Sequence, residues 1–221
     1  MKNLFYLFII VTLIFCSINR TFAAENNSVS DYETINQLII SERLYRVTHR
    51  YEDHRNCFFA DAVIKTSWQS GSLSTFVGNQ PRESSGEEFN VNRCGGALIH
   101  LNNNRAFVEY PSTTIRTVKV NGENAVLKSY MRLLYKVEKK SGEWKISEMI
   151  SINEADELQP LIPGTDLKIN PQDIKNLRPS YRWLAYVRKN SGGKIGDNLL
   201  GIDRPEEIKK IYDENFEWLK G

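Results

Sequence analysis

The stretch that decides the fold runs from Ala97 to Glu157 and breaks into four runs: ALIHL (97–101), AFVEYPSTTIRTVKV (106–120), AVLKSYMRLLYKVEK (125–139) and EWKISEMISI (143–152). Asn121-Gly122-Glu123-Asn124 separates the second run from the third, and Lys139-Lys140-Ser141-Gly142 the third from the fourth. Both have the chemistry of tight antiparallel turns. In the third run Met131, Leu133, Tyr135 and Val137 alternate with Arg132, Lys136 and Glu138. That alternation gives a strand one apolar face and one mostly wet face. Long antiparallel strands with an apolar face need a cover, and the flanking sequence offers one.

Upstream, Ser30 with Glu33 forms a capping box, and Tyr32, Ile35, Leu38, Ile39 and Tyr45 recur at helical spacing. A helix with an apolar stripe is therefore expected from Ser30 to about His49. A short helix from Glu52 to Phe59, closed by Ala60-Asp61, and a first strand from Val63 to Trp68 are expected next. Gln69 to Ser72 reads as a turn and Leu73 to Val77 as one helical turn. The polar stretch Gly78 to Glu88, interrupted by Pro81 and Gly86, is either a lid at a cavity mouth or a plain surface excursion.

Downstream, Leu158 to Pro179 carries Pro160, Pro163, Gly164, Pro171 and Pro179 and reads as an irregular wrap. A short helix is expected over Ser180 to Arg188. A last helix follows, with Asp203 as N-cap, Pro205 in the first turn and Ile208, Ile211, Tyr212, Phe216 and Leu219 as its inner stripe. This order defines an α+β fold, a cone-shaped curved antiparallel sheet covered by N-terminal helices and followed by a C-terminal helical extension.

The N-terminus carries Lys2, an apolar run from Leu4 to Phe15 and the small-residue site Thr21-Phe22-Ala23. Residues 1–23 read as a secretory signal, so the chain is expected to be exported, periplasmic or secreted. An anchor helix would need roughly twenty apolar residues, and a lipoprotein cut before Cys16 would have to accept the bulky Phe15. The expected layout is then signal 1–23, linker 24–29, sheet domain 30–157 and extension 158–221.

Losing the signal removes Lys2 and Arg20, which lowers the 29 basic residues to 27, equal to the 27 acidic ones. A near-neutral chain argues against a nucleic-acid partner, and no later segment is apolar enough to span a membrane. Cys57 and Cys94 are either bridged, as an oxidising compartment allows, or two free thiols. His49, His54 and His100 are scattered, so neither a metal nor a cofactor is expected.

Several stretches, taken in order, resemble the SnoaL-like branch of the nuclear transport factor 2-like (NTF2-like) superfamily over about Ser30 to Glu157. They are Phe58-Phe59-Ala60-Asp61-Ala62-Val63, Asn104-Arg105-Ala106, and Ser129-Tyr130-Met131-Arg132-Leu133-Leu134-Tyr135 leading to Gly142-Glu143-Trp144-Lys145-Ile146. Ser180-Tyr181-Arg182-Trp183-Leu184-Ala185-Tyr186 and Gly201-Ile202-Asp203-Arg204-Pro205 look like the tail of some bacterial members. The resemblance implies a pocket for a small, largely apolar molecule. Known relatives include polyketide cyclases, ketosteroid isomerases, scytalone dehydratase and bile-acid dehydratases, along with members that have no catalytic role. Any activity implied is that of a cofactor-independent lyase or isomerase, and the site must be argued separately from the fold.

In the dehydratases resembled, a Tyr-Asp pair at the end of the first helix and two histidines in the early sheet carry the acid-base chemistry. Laid on this chain they fall on Arg46-Val47, Asn92 and Tyr110, so none carries over. Asp53 and His54 are the substitutes as catalytic acid-base candidates, the alternative being solvated residues at a helix corner. Tyr45, Val47, Trp68, Asn92, Tyr110 and Tyr135 are the pocket-lining candidates, against ordinary core packing. The second reading is a non-catalytic interaction or ligand-carrier protein that forms a homodimer through the outer sheet face, where Tyr130, Arg132 and Leu134 would meet the partner.

Overall fold

The computed structural model describes residues 30–67, 70–77, 88–193 and 195–221. The expected signal segment, the linker, Trp68 and most of the polar loop, residues 78–87, lie outside the described residues. Helix α1 spans residues 30–47, and α2 covers Tyr51–Asn56. Between them His49 adopts a left-handed φ of 57° and turns the chain. Strand β1 is Phe58–Lys65, β2 Ser70–Ser72, and α3 Leu73–Val77. Then come β3 (Asn90–Cys94), β4 (Leu98–Asn102), β5 (Arg105–Val120), β6 (Glu123–Lys140) and β7 (Glu143–Pro160). The extension holds α4 (Pro171–Ile174), a 3-10 turn (Pro179–Tyr181), α5 (Arg182–Asn190) and α6 (Pro205–Lys220).

Three long strands form the frame. β5 and β6 pair antiparallel in one register from Val120↔Glu123 to Arg105↔Glu138, and β6 and β7 pair antiparallel from Lys140↔Glu143 to Ala125↔Pro160 with register shifts between Lys136 and Val137 and between Tyr130 and Met131. Both connections are two-residue turns, with Asn121 at φ 51° and Gly122 at 92°, and Ser141 at 53° and Gly142 at 87°. Two successive left-handed residues match the twist of the flanking strands, and glycine takes the second place without a Cβ penalty. β4 and β3 lie end to end along the free edge of β5, with the gap between them at Pro111. Gly95 restarts the pairing by donating its N–H to the Pro111 carbonyl at 3.0 Å.

Several expected boundaries shift. The second helix stops at Asn56, and Phe58 and Phe59 open β1 instead, because Phe58 pairs with Ile146 and the Cys57 carbonyl accepts from Ile146 N–H. β1 runs parallel to β7, whereas the other pairs of described strands are antiparallel. Ser70–Ser72, expected in a turn, is a short strand on β1. The strand Asn90–Cys94 carries no clear alternation and was not anticipated. Asp203 does not cap α6; Arg204 holds that position, and the Asp203 carboxylate is taken by Arg178 and Ser180. Cys57 and Cys94 are not bridged: the first is a buried free thiol and the second an exposed one.

Both faces of the sheet are covered. On the concave face Ile35 and Ile39 of α1, fully buried, pack with Leu133, Tyr135, Ile146 and Met149. Burying such a side chain contributes roughly 1.5–3 kcal/mol. Farther along the same face α5 packs Leu184, Tyr186 and Val187 against Ala125 and Leu127. On the convex face α6 sets Ile208, Ile211, Tyr212 and Leu219 over Phe107, Leu134, Ile150 and Ile152. The patch expected to meet a second copy is thus largely occupied by the chain's own helix. Leu134 is buried, and Arg132 donates to the Tyr212 hydroxyl at 2.6 Å. Tyr130 is bonded to Glu157. His100 pairs with Glu109 and stacks on Phe107 under the same helix.

The tail is stitched to the free edge of β7, past the point where β1 ends. Asn153 donates from its backbone and its side chain to the Leu200 carbonyl and accepts from Ile202 N–H. Gly201 lies against this edge, where a Cβ would come within 2.2 Å of Ser180 Oγ. That close approach requires glycine.

Candidate functional site

α1, α3, α5 and the concave face of β3, β5, β6 and β7 enclose a cavity of about 340 Å³. Its apolar wall includes Val47, Phe76, Met131, Leu133, Met149 and Leu184. Its polar wall includes Asn92, Thr114, Ser129 and Ser151, with arginines from three elements. Leu184 and Arg188 come from the extension, so α5 is part of the cavity and not an appendage to it.

At the α1 end lies a cluster that sequence reasoning missed. Glu42 is fully buried on the same stripe as Ile35 and Ile39. One carboxylate oxygen meets His54 Nε2 at 2.8 Å, and the other accepts from the Tyr135 hydroxyl at 3.0 Å. Arg43, also buried, pairs with both oxygens and reaches Met149 Sδ at 3.5 Å. Burial alone would raise the Glu42 carboxyl, but the Arg43 guanidinium and the bond to His54 hold it well below the usual carboxylate range. Burial and the neighbouring Glu42 charge push the Tyr135 hydroxyl far up, so it stays a donor. His54 is 2 % exposed and lines the cavity. Its Nε2 is committed to Glu42, which leaves Nδ1 as the ring atom that can face the cavity.

The expected pair of Asp53 and His54 is not brought together. Asp53 stays at the surface, bonded to Arg50 at 2.7 Å, beside a depression lined by Arg50, Tyr51, Glu52 and Asp53. His54 turns inward to Glu42 instead. Of the pocket-lining candidates, Val47 and Asn92 lie on the cavity wall. Tyr110 and Tyr135 are buried in the concave core. Tyr45 packs against that core beneath the Arg50 guanidinium. Burial pushes the Cys57 thiol up to about 12, with the Glu42 and Asp53 charges adding to it. Among the described residues no cluster of His, Cys, Asp and Glu is suited to a metal ion.

A curved sheet wrapped by helices around such a hollow is the NTF2-like fold, and the chain belongs to the SnoaL-like domain family, whose profile matches residues 27–150. Pea pathogenicity protein 2 of Fusarium vanettenii is 23 % identical over 208 residues, covering 90 % of this chain and 87 % of that protein. An uncharacterised protein of Emericella nidulans is 24 % identical over 212 residues, covering 89 % of each. Coverage this wide extends well into the C-terminal extension. Among solved structures, a hexachlorocyclohexane dehydrochlorinase (LinA) type 2 superposes with a TM-score of 0.50 at 12 % identity, over 66 % of this chain and 98 % of that one. That likeness is one of fold alone.

Proposed function

We propose that this chain binds a small molecule in its cavity and carries out cofactor-independent acid-base chemistry there, of the lyase or isomerase type. His54 is the proton-transfer group and Glu42 the carboxylate that positions it. The observation that carries the reading is His54 on the cavity wall with Nε2 fixed at 2.8 Å to a fully buried carboxylate. Such a partner orients the ring and stabilises the imidazolium formed when a proton is taken up. On the same cavity wall the Ser129 hydroxyl and the Asn92 amide N–H, which has no acceptor, could donate to the oxygen of a developing enolate. The proposal includes export. N-terminal sequencing of the natural protein should read from about Ala24, and an intact Met1 would exclude it.

A second reading, a ligand carrier without turnover, is favoured by the closure of the polar cluster. Arg43, His54 and Tyr135 already occupy both Glu42 oxygens, as in a purely structural anchor. Deuterium exchange separates the two. In deuterium oxide, with a panel of carbonyl compounds bearing acidic C–H bonds, the protein should label at least one, and His54→Gln should abolish the labelling. Absence of exchange across the panel, or exchange that survives in His54→Gln, leaves the carrier reading.

A further inference from the structure

The cavity wall is lopsided in charge. Among the described residues that line it are four arginines (Arg43, Arg46, Arg116 and Arg188) and two histidines (His49 and His54), and no aspartate or glutamate. The chain as a whole carries 29 basic and 27 acidic residues, so a wall with only one sign does not follow from composition. Glu42 neutralises Arg43 from behind the wall. The other three guanidinium groups come from separate elements: Arg46 from the last turns of α1, Arg116 from β5 opposite Asn90 of β3, and Arg188 from the last turn of α5.

Arg46 is held in place with its guanidinium 4.4 Å from the centre of the Phe76 ring. Arg46, Arg116 and Arg188 also engage other groups of the protein. It is the charge and placement of these groups around the hollow, and not a vacant bonding position, that favour an anion. The uncharged polar groups of the wall point the same way. The Ser129 hydroxyl can donate, and Asn92, whose Oδ1 accepts from the Thr114 hydroxyl at 3.1 Å, presents a buried amide nitrogen with no acceptor. Beside Ser129 and Ser151 on the same face of β6 and β7, Met131, Leu133 and Met149 offer an apolar floor, with Phe76 of α3 also on the wall.

We infer that the ligand of this cavity is an organic anion: a compact apolar body bearing a carboxylate or a group of like charge, with the body on the Met131–Met149 side and the anionic end toward Arg116 and Arg188. This deepens the reading given above and rests on it, since it names the chemical class of the molecule that occupies the same cavity. A guanidinium fork offers paired donors to a carboxylate, and a partly enclosed wall strengthens the attraction over its value in open water.

Isothermal titration calorimetry with 2-naphthoate and its neutral isostere 2-naphthamide tests it. The naphthoate should bind about ten-fold tighter or better, as expected for a charge-assisted pair, and the preference should shrink as sodium chloride is raised. Arg116→Gln and Arg188→Gln should each lower naphthoate affinity several-fold while leaving naphthamide unchanged. Thr114→Trp, checked for folding by its melting temperature and replaced by Met131→Trp if it fails, should block both compounds. If both compounds bind equally and the arginine variants do not change the ratio, the charge inference is overturned and the cavity reading stands. If neither binds, or if binding survives in a folded cavity-filled variant, the cavity reading falls and takes the inference with it.

Discussion

The Tyr135 hydroxyl donates to Glu42 at 3.0 Å, joining the middle of β6 to a carboxylate 93 residues earlier in α1. That one bond clamps the first helix onto the central strand. It works because Arg43 and His54 keep the carboxylate ionised inside the protein.

Glu42→Gln should therefore be far more costly than Tyr135→Phe. The first leaves the buried Arg43 without its counter-charge, at about 3–5 kcal/mol. The second removes a single hydrogen bond to a charged acceptor, at about 1.5–3 kcal/mol. Urea unfolding of both variants and of the double variant should show costs that fall short of additive, since the two groups share one cluster.

Acid should weaken the attachment of the extension. The bonds from Arg178 and then Ser180 hold the Asp203 carboxyl at about 2, against an ordinary value of 3.8. A folded-state value below the unfolded one contributes stability that is present above pH 3.8 and lost as the pH falls toward 2. Thermal unfolding of the wild-type protein should fall across this window, and Asp203→Asn should flatten part of the fall.

Gly201→Ala should break the same clamp from the other side. The added methyl would sit 2.2 Å from Ser180 Oγ and 2.6 Å from Asp203 Oδ1, so both must give way or the glycine backbone must shift. A cost of about 1–3 kcal/mol is expected from such overpacking. Adding Ser180→Ala should recover part of it, as read by the shift in melting temperature.

Removal of residues 205–221 should make the protein self-associate. It uncovers Phe107, Leu134, Ile150 and Ile152, all buried beneath α6, as one contiguous apolar face. Light scattering after size exclusion should show a mass that rises with concentration, while the intact chain keeps that face covered.

Iodoacetamide should label Cys94 well before Cys57. Cys94 is exposed, whereas Cys57 is buried with its thiol pushed up to about 12, which leaves almost no thiolate at neutral pH. Peptide mapping by mass spectrometry gives the order directly.

The frame of the sheet was legible because its information is local. Asn121-Gly122 and Ser141-Gly142 state their turns outright, and the alternation through Met131 to Val137 states the buried face. The parallel pairing of Lys65 with Ile150 was not, since nothing near either residue encodes a partner that far away. The site was half legible. His54 was singled out beside Asp53, its neighbour in sequence, whereas the carboxylate it bonds is that of Glu42. Glu42 had a signal of its own, an acidic residue with an adjacent arginine on the stripe of Ile35 and Ile39, where a charge has no place unless it is paired inside. α6 was read correctly as amphipathic, but its pattern is silent on which face of the sheet it covers.

The parallel seam between β1 and β7 also sets a timetable for synthesis. Once the first sixty-odd residues have left the ribosome, β1 has only the three-residue β2 to pair with until the chain has reached Ile150. The α5 side of the hollow, with Leu184 and Arg188, emerges later still. A nascent chain therefore carries Ile35 and Ile39 of its first helix without their β6 and β7 partners through more than half of translation, which leaves that stripe exposed to association until the long hairpin arrives.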